Sequence, residues 1–111
     1  MKKLNKNQIH RINDFFKRKS KIRTSDTPNG TVTIKAFFTN NILKTITITI
    51  NKQINVFGRI NCMDTYTYTL ENKQLTGEHV PNNPHKEMQE TYILEVIEEL
   101  MRTVENISNT P

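Results

Sequence analysis

A strict alternation between isoleucine and threonine, TITITI at positions 45–50, constrains the fold more than any other feature of this sequence. Successive side chains of a β-strand point to opposite faces, so a period of two places the isoleucines on one face and the threonines on the other. Both residue types branch at Cβ, which favours the extended backbone. The run therefore predicts a strand with one face in a hydrophobic core and the other facing solvent.

Three further runs have the same period of two, at positions 31–38, 54–60 and 65–70. Only a few residues separate neighbouring runs, which favours antiparallel hairpins over crossover connections. The four predicted strands therefore form a meander, in which each strand pairs with the next one along the chain.

The lengths of the turns set the expected register of this meander. Directly paired residues share a face, so apolar matching requires an odd number of residues in each turn and disfavours two-residue turns. Turns at 39–41 and 51–53 give these pairs on the buried face: Ile34 with Ile46, Ile48 with Val32, and Ile48 with Val56. The same register predicts two rows on the opposite face: Lys35 with Thr45 and Arg59, and Thr33 with Thr47 and Phe57.

The N-terminal segment predicts an amphipathic helix from Asn5 to about Ile22. Its apolar residues recur at helical spacing within an arc of about 120°. They are Ile9, Ile12, Phe15 and Phe16. Lysines and arginines collect on the opposite side, where they form a basic ridge that faces water.

A second helix is predicted near the C-terminal end of the sequence. Asn83 is a suitable N-cap and Pro84 a suitable first helical residue, because proline lacks only a donor that is unpaired there. The helix is expected to end near Ile107. Leu94 and Met101 widen its apolar arc to about 200°, more than one sheet face usually covers. This surplus predicts a homodimer or a higher homo-oligomer contact through the helix, unless the first helix covers it.

Together these elements predict a single domain over residues 1–111, because a chain of this length builds one core. The predicted fold class is α+β: a four-stranded antiparallel meander flanked by an N-terminal and a long C-terminal helix. Its parts are a basic amphipathic helical segment, an antiparallel sheet and a C-terminal helix, at residues 1–23, 31–70 and 84–107. The C-terminal helix covers the apolar sheet face, and the N-terminal helix packs on the same face or at an edge. The polar stretch after Leu70 is predicted to be a loop anchored at Leu75 and Val80.

Charge is distributed unevenly along the chain. Residues 1–23 carry nine basic side chains against one acid, a net charge of +8, whereas the remainder carries −3 and the whole chain +5. Such asymmetry indicates a polyanionic partner, or two copies that pair a basic end with an acidic end.

Two surfaces are candidates for binding a phosphate-bearing ligand. Lysines and arginines on one helix face can neutralise phosphates and release counterions, and exposed aromatic side chains flanked by cations can stack nucleobases. The candidate ligand-binding residues are Lys6, Arg11, Lys17, Arg18, Lys21, Lys35, Arg59, Phe37 and Phe57. Two other interpretations stay open: the ridge is a solvated helix face, and the sheet face is covered by the first helix or by another subunit.

The sequence contains no pattern typical of catalysis, of a cofactor site or of a metal site. Its three glycines are far apart, so they form no phosphate-binding loop, and no cofactor is predicted. The histidines and the one cysteine have no recognised ligand spacing, so no metal is predicted either. These residues are His10, His79, His85 and Cys62.

A single cysteine excludes an internal disulfide, and the first twenty residues lack the apolar run of a signal peptide. We therefore expect the cytoplasm as compartment. No stretch approaches the roughly 20 apolar residues of a membrane-spanning helix, so no membrane association is expected.

These observations predict a small non-enzymatic binding protein that engages nucleic acid or a nucleotide signal through a basic surface. The alternative is a protein–protein inhibitor or accessory factor, of the kind that phages or mobile elements direct against a host defence protein. The abundance of Asn, Lys, Ile and Thr suits AT-rich coding, which is common in low-GC bacteria and their phages.

Overall fold

A computed structural model describes residues 2–22, 31–55, 59–78 and 86–111, with side chains described for 2–20, 31–51, 63–78 and 87–111. Two helices flank one antiparallel sheet, whose strands are ordered β1-β2-β3-β4-β5. The elements are α1 Lys6–Lys19, β1 Lys21–Ile22, β2 Thr31–Thr39, β3 Ile42–Asn55, β4 Arg59–Thr69, β5 Gln74–Glu78 and α2 Lys86–Ser108. The predicted fold class is confirmed, because four strands of five residues or more form an antiparallel meander between an N-terminal and a long C-terminal helix.

The hairpin of β2 and β3 has a two-residue turn, contrary to the prediction of an odd one. Asn40 and Asn41 form the turn with positive φ values of 52° and 63°, the left-handed conformation that asparagine tolerates better than most residues. Thr39 pairs with Ile42 beside the turn, and a bulge next to Phe37 then leaves Lys44 as an extra residue on β3. The bulge supplies the odd residue that face matching requires.

The predicted register of this hairpin is therefore wrong by two residues. Ile34 pairs with Ile48 instead of Ile46, and Val32 pairs with Ile50 instead of Ile48. The shift keeps isoleucines on the buried face, because a displacement of two residues preserves the side of every side chain.

The second predicted turn, at 51–53, is also wrong. β3 continues through these residues to Asn55, and Ile54 pairs with Ile60 on β4. Ile48 consequently pairs with Tyr66 rather than with Val56. Asn51, Lys52 and Gln53 are three consecutive polar residues that interrupt the apolar alternation, so the sequence resembles a turn although the strand pairing continues through it. Val56 lies outside the described residues.

β5 was not predicted, because its sequence, QLTGE, contains one large apolar residue. Leu75 pairs with Tyr68, and Gly77 pairs with Tyr66, on β4. Leu75 packs against the edge of the hydrophobic core. The stretch after Leu70 is therefore not all loop, and Val80 lies outside the described residues.

One face of the sheet carries the core, and both helices cover it. The buried sheet residues lie on β2, β3 and β4, and they pack with apolar residues of both helices. They are Val32, Ile34, Leu43, Ile46, Ile48, Ile50 and Tyr66 from the sheet, Leu4, Ile12 and Phe16 from the N-terminal segment, and Ile93, Ile97, Leu100, Val104 and Ile107 from α2. In the part of the chain that the structure describes, no element covers the opposite, threonine-rich face.

The N-terminal helix begins with a reciprocal cap. The Asn5 side chain accepts a hydrogen bond from the Gln8 main-chain N–H at 2.8 Å, and the Gln8 side-chain oxygen accepts one from the Asn5 N–H at 2.9 Å. These two bonds satisfy donors that the first helical turn leaves free. The helix ends at Lys19, earlier than predicted, because Ile22 belongs to β1.

The C-terminal helix, Lys86–Ser108, directs its apolar stripe at the sheet. The predicted cap Asn83 and first residue Pro84 lie outside the described residues. Leu94 remains 52% exposed, and Met101 is half-buried. Within the described ranges, neither helix combines the length and apolar character needed to cross a bilayer.

Candidate anion-binding groove

The basic ridge of α1 separates into two flanks in the structure. At 100° per residue, Lys6, Asn13 and Lys17 fall within about 40° of each other, and Asn13 and Lys17 face β2. Arg11 lies on the other flank, where its guanidinium donates to the main-chain oxygen of Thr110 at 3.3 Å. The two flanks therefore have different neighbours, and only the first one lies against the sheet edge.

Lys19 belongs to the flank that faces α2. Its ammonium group lies 2.6 Å from a carboxylate oxygen of Glu99 and 5.6 Å from the centre of the Phe15 ring. The ion pair links α1 to α2, whereas the contact with Phe15 lies within α1, so Lys19 is engaged within the fold. Arg18 is exposed, and within the described residues it forms no ion pair shorter than 4.0 Å.

An open groove runs between α1 and β2, and we call it the α1–β2 groove. It has a volume of about 410 Å³. Its lining comprises Asn13, Phe16, Lys17 and Ser20 from α1 and its C-terminal end, and residues 33–37 from β2. The groove thus brings together Lys17, Lys35 and Phe37, which the sequence placed on two separate surfaces.

The charged side chains that line the α1–β2 groove are all positive. Lys17 and Lys35 both line it, and no aspartate or glutamate is among its lining residues. Among the residues that the structure describes, neither lysine forms an ion pair within 4.0 Å. Both side chains are exposed, so their charges are available to a ligand.

Ser20 lines the groove and connects α1 to β2. Its main-chain N–H donates to the Phe16 carbonyl at 3.0 Å and caps the end of α1. Its hydroxyl donates to the same carbonyl at 3.1 Å and accepts a hydrogen bond from the Ile34 N–H at 2.9 Å. A single hydroxyl therefore fixes the end of α1 against the edge of β2.

Phe37 lies on the open face of the sheet and is 49% exposed. It pairs with Thr45, which in turn pairs with Thr69, so its ring projects beside short side chains. An exposed ring with short neighbours offers a free surface for stacking. The sequence-based expectation that Phe37 faces away from the core is met by this placement.

The structure separates other candidate residues from the groove. Lys35 pairs with Thr47 rather than Thr45, and Arg59 pairs with Asn55, eight residues further along β3. This spacing corresponds to about 26 Å along the strand. The predicted row of Lys35 with Thr45 and Arg59 is therefore wrong, because it rested on the predicted turns at 39–41 and 51–53.

The second predicted row is also wrong, since Thr33 pairs with Thr49 rather than Thr47. This error comes from the predicted turn at 39–41. Phe57 lies outside the described residues. Lys21 pairs with Val32 through its main chain in β1, and its side chain lies outside the description.

Two residues of structural importance, Ser20 and Gln8, were not singled out from the sequence. Ser20 follows the last turn of a basic helix, where a small polar residue typically marks a terminus. Asn5 followed three residues later by Gln8 is a capping-box pattern. Both signals were present in the sequence, but neither indicates which distant segment the side chain will contact.

In the described ranges, no three His, Cys, Asp or Glu side chains are grouped closely enough to hold a metal ion. No protein-family model, curated protein sequence or solved structure matches this chain.

Proposed function

We propose that the protein is a non-enzymatic binding protein that holds a phosphate-bearing ligand, nucleic acid or a nucleotide, in the α1–β2 groove. The observation that carries this proposal is the convergence of Lys17, Lys35 and Phe37 on one open groove with no acid in its lining. Cations can contact the phosphates of a nucleotide, and an exposed aromatic ring can stack on its base.

In the proposed mode of binding, Lys17 and Lys35 contact phosphate oxygens and Phe37 stacks against a base. Lys6 lies on the same flank of α1, eleven residues before Lys17, which places it about 16 Å further along the helix. Arg18 is also exposed, but it lies about 120° around the helix from Lys6, on the flank of Arg11. The cations therefore extend beyond the groove, in the way expected for a ligand with several phosphates.

Fluorescence anisotropy with a fluorescein-labelled ten-nucleotide thymidine strand tests this function. The double variant Lys17→Glu, Lys35→Glu should weaken binding at least about tenfold and reduce the slope of log K against log salt by about 1.4, since each lost phosphate contact removes about 0.7. Competition with unlabelled thymidine monophosphate distinguishes a nucleotide ligand from a strand.

The double variant Lys44→Glu, Lys73→Glu is the matched control. It has the same change in charge, and both lysines line a second depression, beside Tyr68 and Leu70. Equal losses in the two double variants would show that net charge alone attracts the strand. Absence of binding by the wild-type protein at low salt would contradict the proposed function.

A protein partner is the second candidate function, in the form of an inhibitor or accessory factor directed at a host protein. One observation favours it: most of the outward edge of β2 has no neighbouring strand in the described structure. We also propose that the protein forms a homodimer through α2, because Leu94 on this helix is exposed. In addition, we propose a cytoplasmic location. A cytoplasmic location suits a nucleotide or protein ligand equally.

A further inference from the structure

The edge of β2 that borders the α1–β2 groove has free main-chain groups. β1 pairs only with Thr31 and Val32, and the Ile34 N–H is bound by Ser20. Every second residue of a strand directs its N–H and C=O to the same side. Ala36 and Phe38 therefore direct theirs to this edge, where no described segment bonds to them.

The free edge is suited to one more strand. Two residues with outward main-chain groups offer two donors and two acceptors, which is a ladder for a partner segment of about five residues. A strand paired there lies between β2 and α1. Its side chains alternate between the inner side, near Asn13 and Lys17, and the outer side, near Lys35 and Phe37.

The charge of the lining indicates the chemistry of that strand. Lys17 and Lys35 would lie on opposite sides of it, without an acidic neighbour in the groove lining. An acidic side chain on each side of the added strand would form charge-assisted contacts with these lysines.

A second copy of β2 fits this edge poorly. Pairing two β2 edges would bring Lys35 of each copy into the same interface and place the Lys6 and Lys17 flanks of two α1 helices near each other. Like charges placed together across an interface oppose association. The charge of the groove therefore favours a different, acidic chain over a homodimer.

We propose that β2 accepts an extended acidic segment of a partner protein as an additional strand, hydrogen-bonded to the main chain of Ala36 and Phe38. This inference names the partner chemistry for the second candidate function and is independent of nucleotide binding. Main-chain pairing gives affinity, and alternating acidic residues that meet Lys17 and Lys35 give specificity.

A displayed library of random nine-residue peptides, selected on the purified full-length protein, tests the proposal. Enriched peptides should carry acidic residues on both sides of an extended segment. Selection on the variant Lys17→Glu, Lys35→Glu should enrich basic residues at those positions instead. A library that yields no peptide above background, or peptides without this charge pattern, would overturn the proposal.

Main-chain pairing is tested on the best enriched peptide. Ala36→Pro removes an outward N–H and leaves the ladder with β3 intact, because edge strands accept proline at such positions. It should weaken the peptide about tenfold, since one bond is lost and the ring obstructs the edge. Two peptides methylated on alternate sets of main-chain nitrogens provide a test that needs no protein variant. Binding should weaken when the methylated nitrogens face β2 and stay unchanged when they face away from it. Equal binding of both methylated registers would overturn the pairing.

The two proposals are separated by measuring both ligands on Ala36→Pro. The thymidine strand depends on Lys17, Lys35 and Phe37, so its affinity should be retained in this variant. Failure to bind the thymidine strand would not affect the conclusion from the peptide, and failure to bind the peptide would not affect the conclusion from the thymidine strand. A wild-type dimer that Ala36→Pro dissociates would identify a second copy as the occupant and overturn the acidic-partner proposal.

Discussion

The side-chain amide of Gln8 donates to the main-chain oxygen of Ser108 at 3.1 Å, and so joins the first turn of one helix to the last turn of the other. The same nitrogen lies 3.4 Å from the carbonyl oxygens of Ile107 and Thr110. The last carbonyls of a helix have no intrahelical partner. The Gln8 side chain thus donates to carbonyl groups at the end of α2 through its nitrogen and caps the start of α1 through its oxygen.

Replacing Gln8 with leucine should destabilise the protein by about 1–3 kcal/mol, because buried carbonyl groups at the end of α2 lose their donor. Urea unfolding followed by circular dichroism measures this as a lower midpoint. Arg11→Leu is the control, since Arg11 reaches only the Thr110 carbonyl in an exposed position and should cost less. An unchanged midpoint for Gln8→Leu would show that water replaces the amide at no cost.

Tyr66 should make stability depend on pH in the alkaline range. Burial, followed by the negative charges of Asp64 and Glu90, raises the pKa of Tyr66 from 10.0 to about 12. Its hydroxyl also donates to the buried side-chain oxygen of Gln89 at 3.2 Å. The folded state therefore retains a proton that the unfolded state releases between these two pKa values.

The sign of the effect follows from this order of titration. Below pH 10 the stabilisation by the neutral phenol is fully present, and it is lost as pH rises from 10 to 12, by up to about 3 kcal/mol. Unfolding measurements of wild type and Tyr66→Phe between pH 9 and 12 isolate the contribution as the difference between the two curves. Parallel curves would contradict the assignment to Tyr66.

If α2 forms the proposed homodimer contact, Leu94→Glu should convert the protein to a monomer. Leu94 is 52% exposed, and a carboxylate placed in an apolar interface loses its hydration. Sedimentation equilibrium measures the mass of both proteins. Met88→Glu is the matched control, because Met88 is 61% exposed and lies about 120° around the helix from Leu94. A monomeric wild type at all concentrations would exclude the contact.

Asn41→Ala should destabilise the hairpin of β2 and β3 by about 1–2 kcal/mol, whereas Asn41→Gly should be neutral or stabilising. Asn41 has a φ of 63°, where a Cβ without a polar side chain is unfavourable and glycine is not. The main-chain oxygen that accepts a bond from the Leu4 N–H is unchanged by either substitution. Chemical denaturation of the pair gives the comparison, and equal stability of the two variants would contradict it.

Sequence periodicity predicted which residues form strands and helices better than it predicted the register in which the strands pair. The alternation at 45–50 identified the central strand and its buried face, because side-chain direction is a local property of extended backbone. It could not reveal the extra residue Lys44, since a bulge changes the pairing without changing the alternation of either strand. β5 escaped detection because Leu75 is stabilised by contact with β4 rather than by a pattern of its own.

The candidate site shows the same division between local and distant information. Lys17, Lys35 and Phe37 were identified as exposed from helical and strand periodicity. Their convergence depends on how α1 lies against β2, which is fixed by the bond from the Ile34 N–H to the Ser20 hydroxyl and by core packing. Arg59 was assigned to the same row because β3 was predicted to end at Ile50, five residues before its actual end at Asn55.

The repetition in β3 has a consequence for the route by which the chain folds. A slip of the β2–β3 pairing by two residues exchanges isoleucine for isoleucine and threonine for threonine at positions 45–50, so the misaligned hairpin keeps that part of the apolar face. The Asn40–Asn41 turn, and the extra residue Lys44 that lets Leu43 reach the core, distinguish the two alignments. We expect molecules that pair in the slipped alignment to separate again before α1 and α2 can pack on the sheet, so we predict that the repeat that defines the strand also slows its folding. Its signature would be a slow refolding phase that Asn41→Gly shortens.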